Sequence, residues 1–94
     1  MKNYLGQITN DVVTITAQNL YRKVQITVTE ASTVNATIEG DAGKIGDKNV
    51  SPISLIPGSS FILDNSNTQM EFMEYINYCK ITIPSGCNVQ IVAF

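Results

Sequence analysis

Cys79-Lys80-Ile81-Thr82-Ile83-Pro84-Ser85-Gly86-Cys87-Asn88-Val89-Gln90-Ile91-Val92-Ala93 decides the fold class of this chain. Before Pro84-Ser85-Gly86, Cys79, Ile81 and Ile83 alternate with Lys80 and Thr82; after it, Val89, Ile91 and Ala93 alternate with Gln90 and Val92. Side chains of a strand point to opposite faces at period two, so each run presents one apolar face. Pro and Gly between the runs predict a hairpin. Lys80 is also the last charged residue, and the chain ends on Phe94 without a polar tail. Such an end is expected to be docked into a sheet, since untied ends are usually disordered.

Working outward, the same period recurs. Val24, Ile26 and Val28 alternate with Gln25, Thr27 and Thr29, and Val34, Ala36 and Ile38 with Asn35, Thr37 and Glu39; the short link 30–33 makes these a second expected hairpin. Val13, Ile15 and Ala17 read as another strand, with Gln18-Asn19 as its turn. Ile53-Ser54-Leu55-Ile56 and Phe61-Ile62-Leu63, separated by Pro57-Gly58-Ser59-Ser60, predict a third hairpin. Residues 67–76 fit either a helix, with Met70, Met73 and Ile76 spaced by three, or a strand with Met70, Phe72 and Ile76 on one face; the β surroundings favour the strand. Residues 40–49, with Gly40, Gly43 and Gly46, form the main loop, and residues 1–10 are either an arm or a first strand. Many short strands with almost no helix predict an all-β fold, a single small β-sandwich or jelly-roll-like antiparallel barrel spanning residues 1–94.

Composition bounds the function. Charged residues make up 15% of the 94 residues, against roughly 25% in an ordinary domain. The polar surface must therefore be mostly Asn, Ser, Thr and Gln, which repels its own copies weakly. Net charge is −2 and the pI about 4.8, with Lys2, Arg22, Lys23, Lys44, Lys48 and Lys80 scattered, so no nucleic-acid partner is expected. The apolar residues are too dispersed for a membrane span, and the N-terminal segment lacks the apolar core of a secretory signal, which predicts a protein that stays where it is made. Cys79 and Cys87 are then expected to be reduced and largely buried.

The chemistry-bearing residues are few. The chain has no histidine, which removes the usual general base at neutral pH and the commonest zinc ligand. Two cysteines eight residues apart match no zinc knuckle. Asp64, Glu71 and Glu74 are the only acids grouped near aromatic residues, and they read more readily as solubilising one face than as a catalytic pair. Gly43-Lys44 lacks the preceding Gly and following Ser or Thr of a phosphate loop, and Asp64-Asn65-Ser66-Asn67-Thr68 lacks the Gly and distal Glu of a calcium loop. No enzyme activity, cofactor or metal is expected. Tyr4, Tyr21, Tyr75 and Tyr78, with abundant Asn, could instead line a shallow sugar-binding face.

A rigid β domain without a catalytic site is expected to act through its surface. The uncharged stretches 50–63 and 81–94 are where edges or faces could meet a partner, guarded only by Pro52, Pro57 and Pro84. Candidate contact residues are Val50, Ile53, Leu55, Ile56, Phe61, Leu63, Val89, Ile91 and Phe94, with Asp41, Lys44, Asp47 and Lys48 as candidate loop contacts. The alternative is that both stretches are core hairpins.

Ile56-Pro57-Gly58-Ser59-Ser60-Phe61-Ile62-Leu63, followed by Ile81-Thr82-Ile83-Pro84 and Val89-Gln90-Ile91-Val92, resembles short β-rich virion proteins of tailed bacteriophages, including auxiliary capsid (decoration) proteins. The resemblance covers about a third of the chain and carries no functional residues over. It implies a small protein made in the host cytoplasm that attaches in many copies to a capsid lattice and braces it. The expected partners are a major capsid protein, another virion protein at a neck, tail or fibre, or a second copy of the chain. A carbohydrate-binding module for surface attachment is the competing expectation, to be separated by whether the tyrosines gather in a concave patch.

Overall fold

The computed structural model describes residues 3–40, 52–63, 75, 76 and 78–94, with side chains from Gly6 onward. Eight strands follow in order: β1 (Asn3–Ile8), β2 (Asp11–Thr16), β3 (Val24–Val28), β4 (Ala36–Gly40), β5 (Ile53–Leu55), β6 (Ser60–Leu63), β7 (Tyr78–Ile83) and β8 (Val89–Ala93). They form two four-stranded antiparallel sheets, ordered β1-β8-β3-β6 and β2-β7-β4-β5. The first four strands pair with the last four in reverse: β1 with β8, β2 with β7, β3 with β6 and β4 with β5. The chain is thus one long hairpin, rolled up so that β3 also meets β8 and β4 also meets β7. This winding is that of a jelly roll, within the expected all-β class.

The pairings correct all three expected hairpins. β3 and β4, β5 and β6, and β7 and β8 each fall in different sheets, so their connectors are corners that cross the sandwich. Pro-Gly chemistry turns the chain but does not hold it in one sheet. None of the three connectors is a two-residue type I′ or II′ turn, the device that keeps consecutive strands side by side. Among the described residues, β4 and β5 are the only consecutive strands paired with each other. Within residues 1–10, for which the sequence admits an arm or a first strand, Asn3–Ile8 form an edge strand on β8, and β8 lies inside its sheet.

The alternating residues fill the space between the sheets as their period predicts. From one sheet come Val24, Ile26, Val28, Leu63, Val89, Ile91 and Ala93, and from the other Ile15, Ala36, Ile38, Leu55, Cys79, Ile81 and Ile83, all buried in one cluster. Rows run across strands: Ile81 pairs with both Val13 and Ile38, and Ile26 with both Ile91 and Phe61. Each buried Ile or Leu contributes about 1.5–3 kcal/mol relative to exposure. Two residues expected on inward faces are not there. Val34 lies in the β3–β4 corner and is exposed, and Ala17 begins a 3₁₀ turn (Ala17–Asn19), exposed as well.

Cys79 and Cys87 are both buried free thiols. Cys79 stands four strand residues before Ile83, the end of β7, or about 13 Å at ~3.3 Å per residue. Cys87 lies beyond that end, and a disulfide needs Cα atoms within about 7 Å. Of the segment read as helix or strand, only Tyr75 and Ile76 are described; both are irregular, and Ile76 is fully buried.

Candidate interaction surfaces

The rolled hairpin gives the sandwich two unlike ends. Connectors 9–10, 29–35, 56–59 and 84–88 all lie at one end, and hydrogen bonds stitch them in a row. Thr9 Oγ1 donates to the Cys87 carbonyl. The Thr33 N–H donates to Gly86 O at 2.9 Å and the Thr29 N–H to Asn88 O at 3.0 Å. The Val28 N–H donates to Ser59 O at 2.9 Å, and the Gly58 N–H to Val28 O at 2.8 Å. Ser32, the one buried polar residue of the described chain, joins the second corner to the fourth through Asn88. Backbone and side-chain bonds thus tie the four corners of this end to one another.

The opposite end holds the β2–β3 connector, Tyr75, Ile76 and Phe94. The Arg22 and Lys23 N–H groups both donate to Phe94 O, at 2.6 and 3.2 Å, and the Phe94 N–H returns to Lys23 O at 2.9 Å. The Ile76 N–H donates to Tyr21 O at 2.7 Å. These bonds frame an open cavity of about 510 Å³ lined by Leu20, Arg22, Lys23, Tyr75 and Phe94. The Arg22 guanidinium lies over the Tyr75 ring, 5.5 Å from its centroid, a cation–π contact that orients the charge. Leu20 closes the 3₁₀ turn in the left-handed conformation (φ 60°, ψ 38°), its side chain 59% exposed.

The expected contact residues divide sharply. Leu55, Leu63, Val89 and Ile91 are core residues, so their side chains have no surface to offer a partner. Period two places Val89 and Ile91 inward, and for all four residues the core-hairpin alternative holds for burial though not for pairing. Ile53 and Phe61 are half-buried and pack against the core. Ile56 is fully outward at 59% exposure, with Ile62 beside it in sequence order on β6 at 41%. Phe94 lines the cavity. Val50, Asp41, Lys44, Asp47 and Lys48 lie outside the described residues, as do Asp64, Glu71, Glu74 and the side chain of Tyr4.

The outer faces of both sheets are nearly chargeless. On the first, Gln7, Gln90, Thr27 and Ser60 align, beside Val92, Gln25 and Ile62. On the second, Val12, Thr82, Thr37 and Ser54 align next to Thr14, Lys80 and Glu39. Lys80 and Glu39 are 3.8 Å apart and neutralise each other. β5 and β6 are end strands of their two sheets, so residues 52–63 form one uncharged flank with Ile56 at its corner.

Comparison with protein families, with curated proteins and with solved structures gave no match. Function must be read from these surfaces.

Among the described residues, Tyr21, Tyr75 and Tyr78 have three different settings. Tyr21 packs on the core, Tyr78 stands half-buried on the outer face of the second sheet, and Tyr75 lines the cavity. Among the described residues, no three His, Cys, Asp or Glu side chains group as metal ligands, and no helix is long and apolar enough to cross a membrane. Of the cavity lining, sequence reasoning singles out Phe94 and Tyr75, but not Leu20, Arg22 or Lys23. Arg22-Lys23 was visible as the one adjacent basic pair, but nothing local ties it to Tyr75, which the roll brings from the far half of the chain.

Proposed function

We propose that this protein is a noncatalytic structural component of a virion, an auxiliary protein attached in many copies to the capsid of a tailed bacteriophage or to its neck, tail or fibre. The observation that carries this reading is the uncharged flank 52–63, with Ile56 and Ile62 exposed on it. A solitary soluble domain normally guards end strands with charge, and low charge at the centre of a surface is what distinguishes protein interfaces. The jelly-roll winding suits the reading without selecting it, because the fold serves capsid proteins, lectins and cupins alike.

The test is quantitative mass spectrometry of particles from the chain's source, purified on a density gradient. Many copies per particle, retained in high salt, are expected, since an apolar contact is little screened. Absence of the chain from the particles would falsify the proposal. A second reading, carbohydrate attachment, is favoured by the Tyr75 and Phe94 rings lining one cavity. A glycan-array screen tests it: specific retention abolished by Tyr75→Ala supports sugar binding, and no retention ends it.

A further inference from the structure

The first strand is held to the sandwich along one side and joined to the strands that follow by one short link. Among the described residues, β1 pairs with β8 and with no other strand. Its ladder shifts register between Tyr4 and Gly6, where Gly6 stands at φ +84°. Of its described side chains only Ile8 packs against the core, and none belongs to the buried cluster itself. The link to β2 is Thr9-Asn10, which must cross from one sheet to the other. From Ile8 to Asp11 the chain reaches at most roughly 11 Å, and packed sheets lie about 10 Å apart. The link therefore has little slack. Thr9 is held to the Cys87 carbonyl, and Asn10 makes the turn in the left-handed conformation at φ 51°, a cost that an extended link would not carry.

We propose that two copies of this chain exchange their first strands, the Asn3–Ile8 segment of each lying on β8 of the other once Asn10 straightens. The fold itself names the occupant of that edge. β8 accepts this segment in a set register, Gln7 against Gln90 and Ile8 against Val89, and a second copy offers the identical segment. Every β1–β8 bond of the closed chain is remade in the exchanged pair, so the link decides the balance between the two forms. Exchange of an identical element is a low-cost route to a dimer, and short links under strain favour it. Residues 3–10 and 84–94 carry no charged side chain, so two opened chains meet at this contact without repulsion.

Pairing of end strands without exchange fits the structure less well. On β2, the Val12 N–H already donates to Asp11 Oδ1 at 2.7 Å and the Thr16 N–H to Asn19 Oδ1 at 2.9 Å, which blunts that edge as a template. β5 is three residues long and lies between Pro52 and Pro57. Exchange of β1 needs no new edge, because each sheet keeps the strands it has. Being reciprocal, it closes at two copies about a two-fold axis.

The full chain carrying Gln7→Cys and Gln90→Cys tests the proposal. Both glutamines are exposed and are partners across β1 and β8, while Cys79 and Cys87 are 0% exposed. The protein is held at about 1 mM, the effective concentration that a short link gives the closed form, just below its Tm so that β1 opens, and then cooled. Gel filtration is expected to resolve a dimer beside the monomer. After mild oxidation and denaturation in iodoacetamide, the dimer fraction should run as a covalent dimer on a gel without reductant, and the monomer fraction as an internally bridged monomer. Asn10→Pro, whose φ of about −65° forbids the left-handed turn, should raise the dimerisation constant at least about 10-fold. Three glycines inserted after Asn10 relax the closed link and should lower it by about as much. Far-UV circular dichroism confirms that each variant is folded. A chain that stays monomeric, a dimer whose bridges all lie within one copy, or a dimer yield that neither link variant moves overturns the proposal. None of these outcomes touches the virion reading, which is decided by whether the chain is found on particles.

Discussion

Ser32 Oγ accepts the Asn88 N–H at 2.9 Å and donates to the Asn88 carbonyl at 3.3 Å, so one hydroxyl closes the β3–β4 corner onto the β7–β8 corner. Thr29 Oγ1 lies 2.9 Å from the same oxygen. Ser32 is only 7% exposed, and water has little access to replace it. Ser32→Ala leaves the part-buried Asn88 N–H without its acceptor, a loss of about 1–2 kcal/mol. For a domain of this size Tm should fall by roughly 5–15 °C. A Tm that stays at the wild-type value in calorimetry would show that Asn88 is satisfied without Ser32.

Gly40 and Gly6 separate two costs of adding a side chain. Gly40 has φ +146°, and a Cβ there would meet the Tyr78 carbonyl and lie 2.7 Å from Cys79 Cα. Gly6 has φ +84° at the β1 register shift, with nothing within 4 Å of an added Cβ. Gly40→Ala should cost more than about 3 kcal/mol, strain and overpacking together. Gly6→Ala should cost about 1 kcal/mol, from the backbone alone. Equal losses in urea denaturation would contradict the close approach of β4 to β7.

The inward faces were legible because period two survives any arrangement of the strands. Ile26 and Ile81 alternate with polar neighbours whichever strand they meet. Strand partners were not legible, because Pro84-Ser85-Gly86 and Pro57-Gly58 report a turn and say nothing about which sheet receives the chain afterward. The deciding information is long-range: Val24 meets both Leu63 and Ala93. For the same reason the cavity was hidden, since Arg22 and Tyr75 become neighbours only through the roll. What the sequence did show of the surface was its lack of charge, and Ile56 is the candidate on which that signal and exposure agree.

Leu20 holds its left-handed position at a cost to folding. Leu20→Gly relieves the left-handed strain and is expected to stabilise the monomer by up to about 1 kcal/mol, less the entropy that glycine adds to the unfolded chain. The exposed leucine contributes little packing to offset this. Denaturant titration at a concentration where the protein is monomeric should show a midpoint no lower than wild type. A clearly lower midpoint would mean that the Leu20 side chain supports the 3₁₀ turn.

Cys79 and Cys87 are each 0% exposed and unbridged, so a thiol reagent reaches them only when the chain opens. Both thiols should react slowly in native buffer and promptly in denaturant, and added reductant should leave Tm unchanged. Rapid modification of Cys87 alone would mean that the stitched end opens locally, with a free energy well below that of global unfolding.

Leu55 and Ile56 are adjacent yet face opposite fates when made acidic. Leu55 is 5% exposed and packs in the core from β5, with Ala36 of the adjacent β4 as its strand partner, whereas Ile56 is 59% exposed at the corner of the uncharged flank. A carboxylate at position 55 would lose its hydration with no cation within the core cluster to compensate, a cost of several kcal/mol that a domain of ordinary stability cannot absorb. Leu55→Asp is therefore expected to be unfolded or severely destabilised by circular dichroism. Ile56→Asp should keep its Tm within the range of surface changes, about 0.5 kcal/mol either way. It should nevertheless lose attachment to particles, because it places a charge within the apolar contact. Full retention of Ile56→Asp on gradient-purified particles would remove this flank from the attachment surface, and a folded Leu55→Asp would contradict the register of β5 on β4.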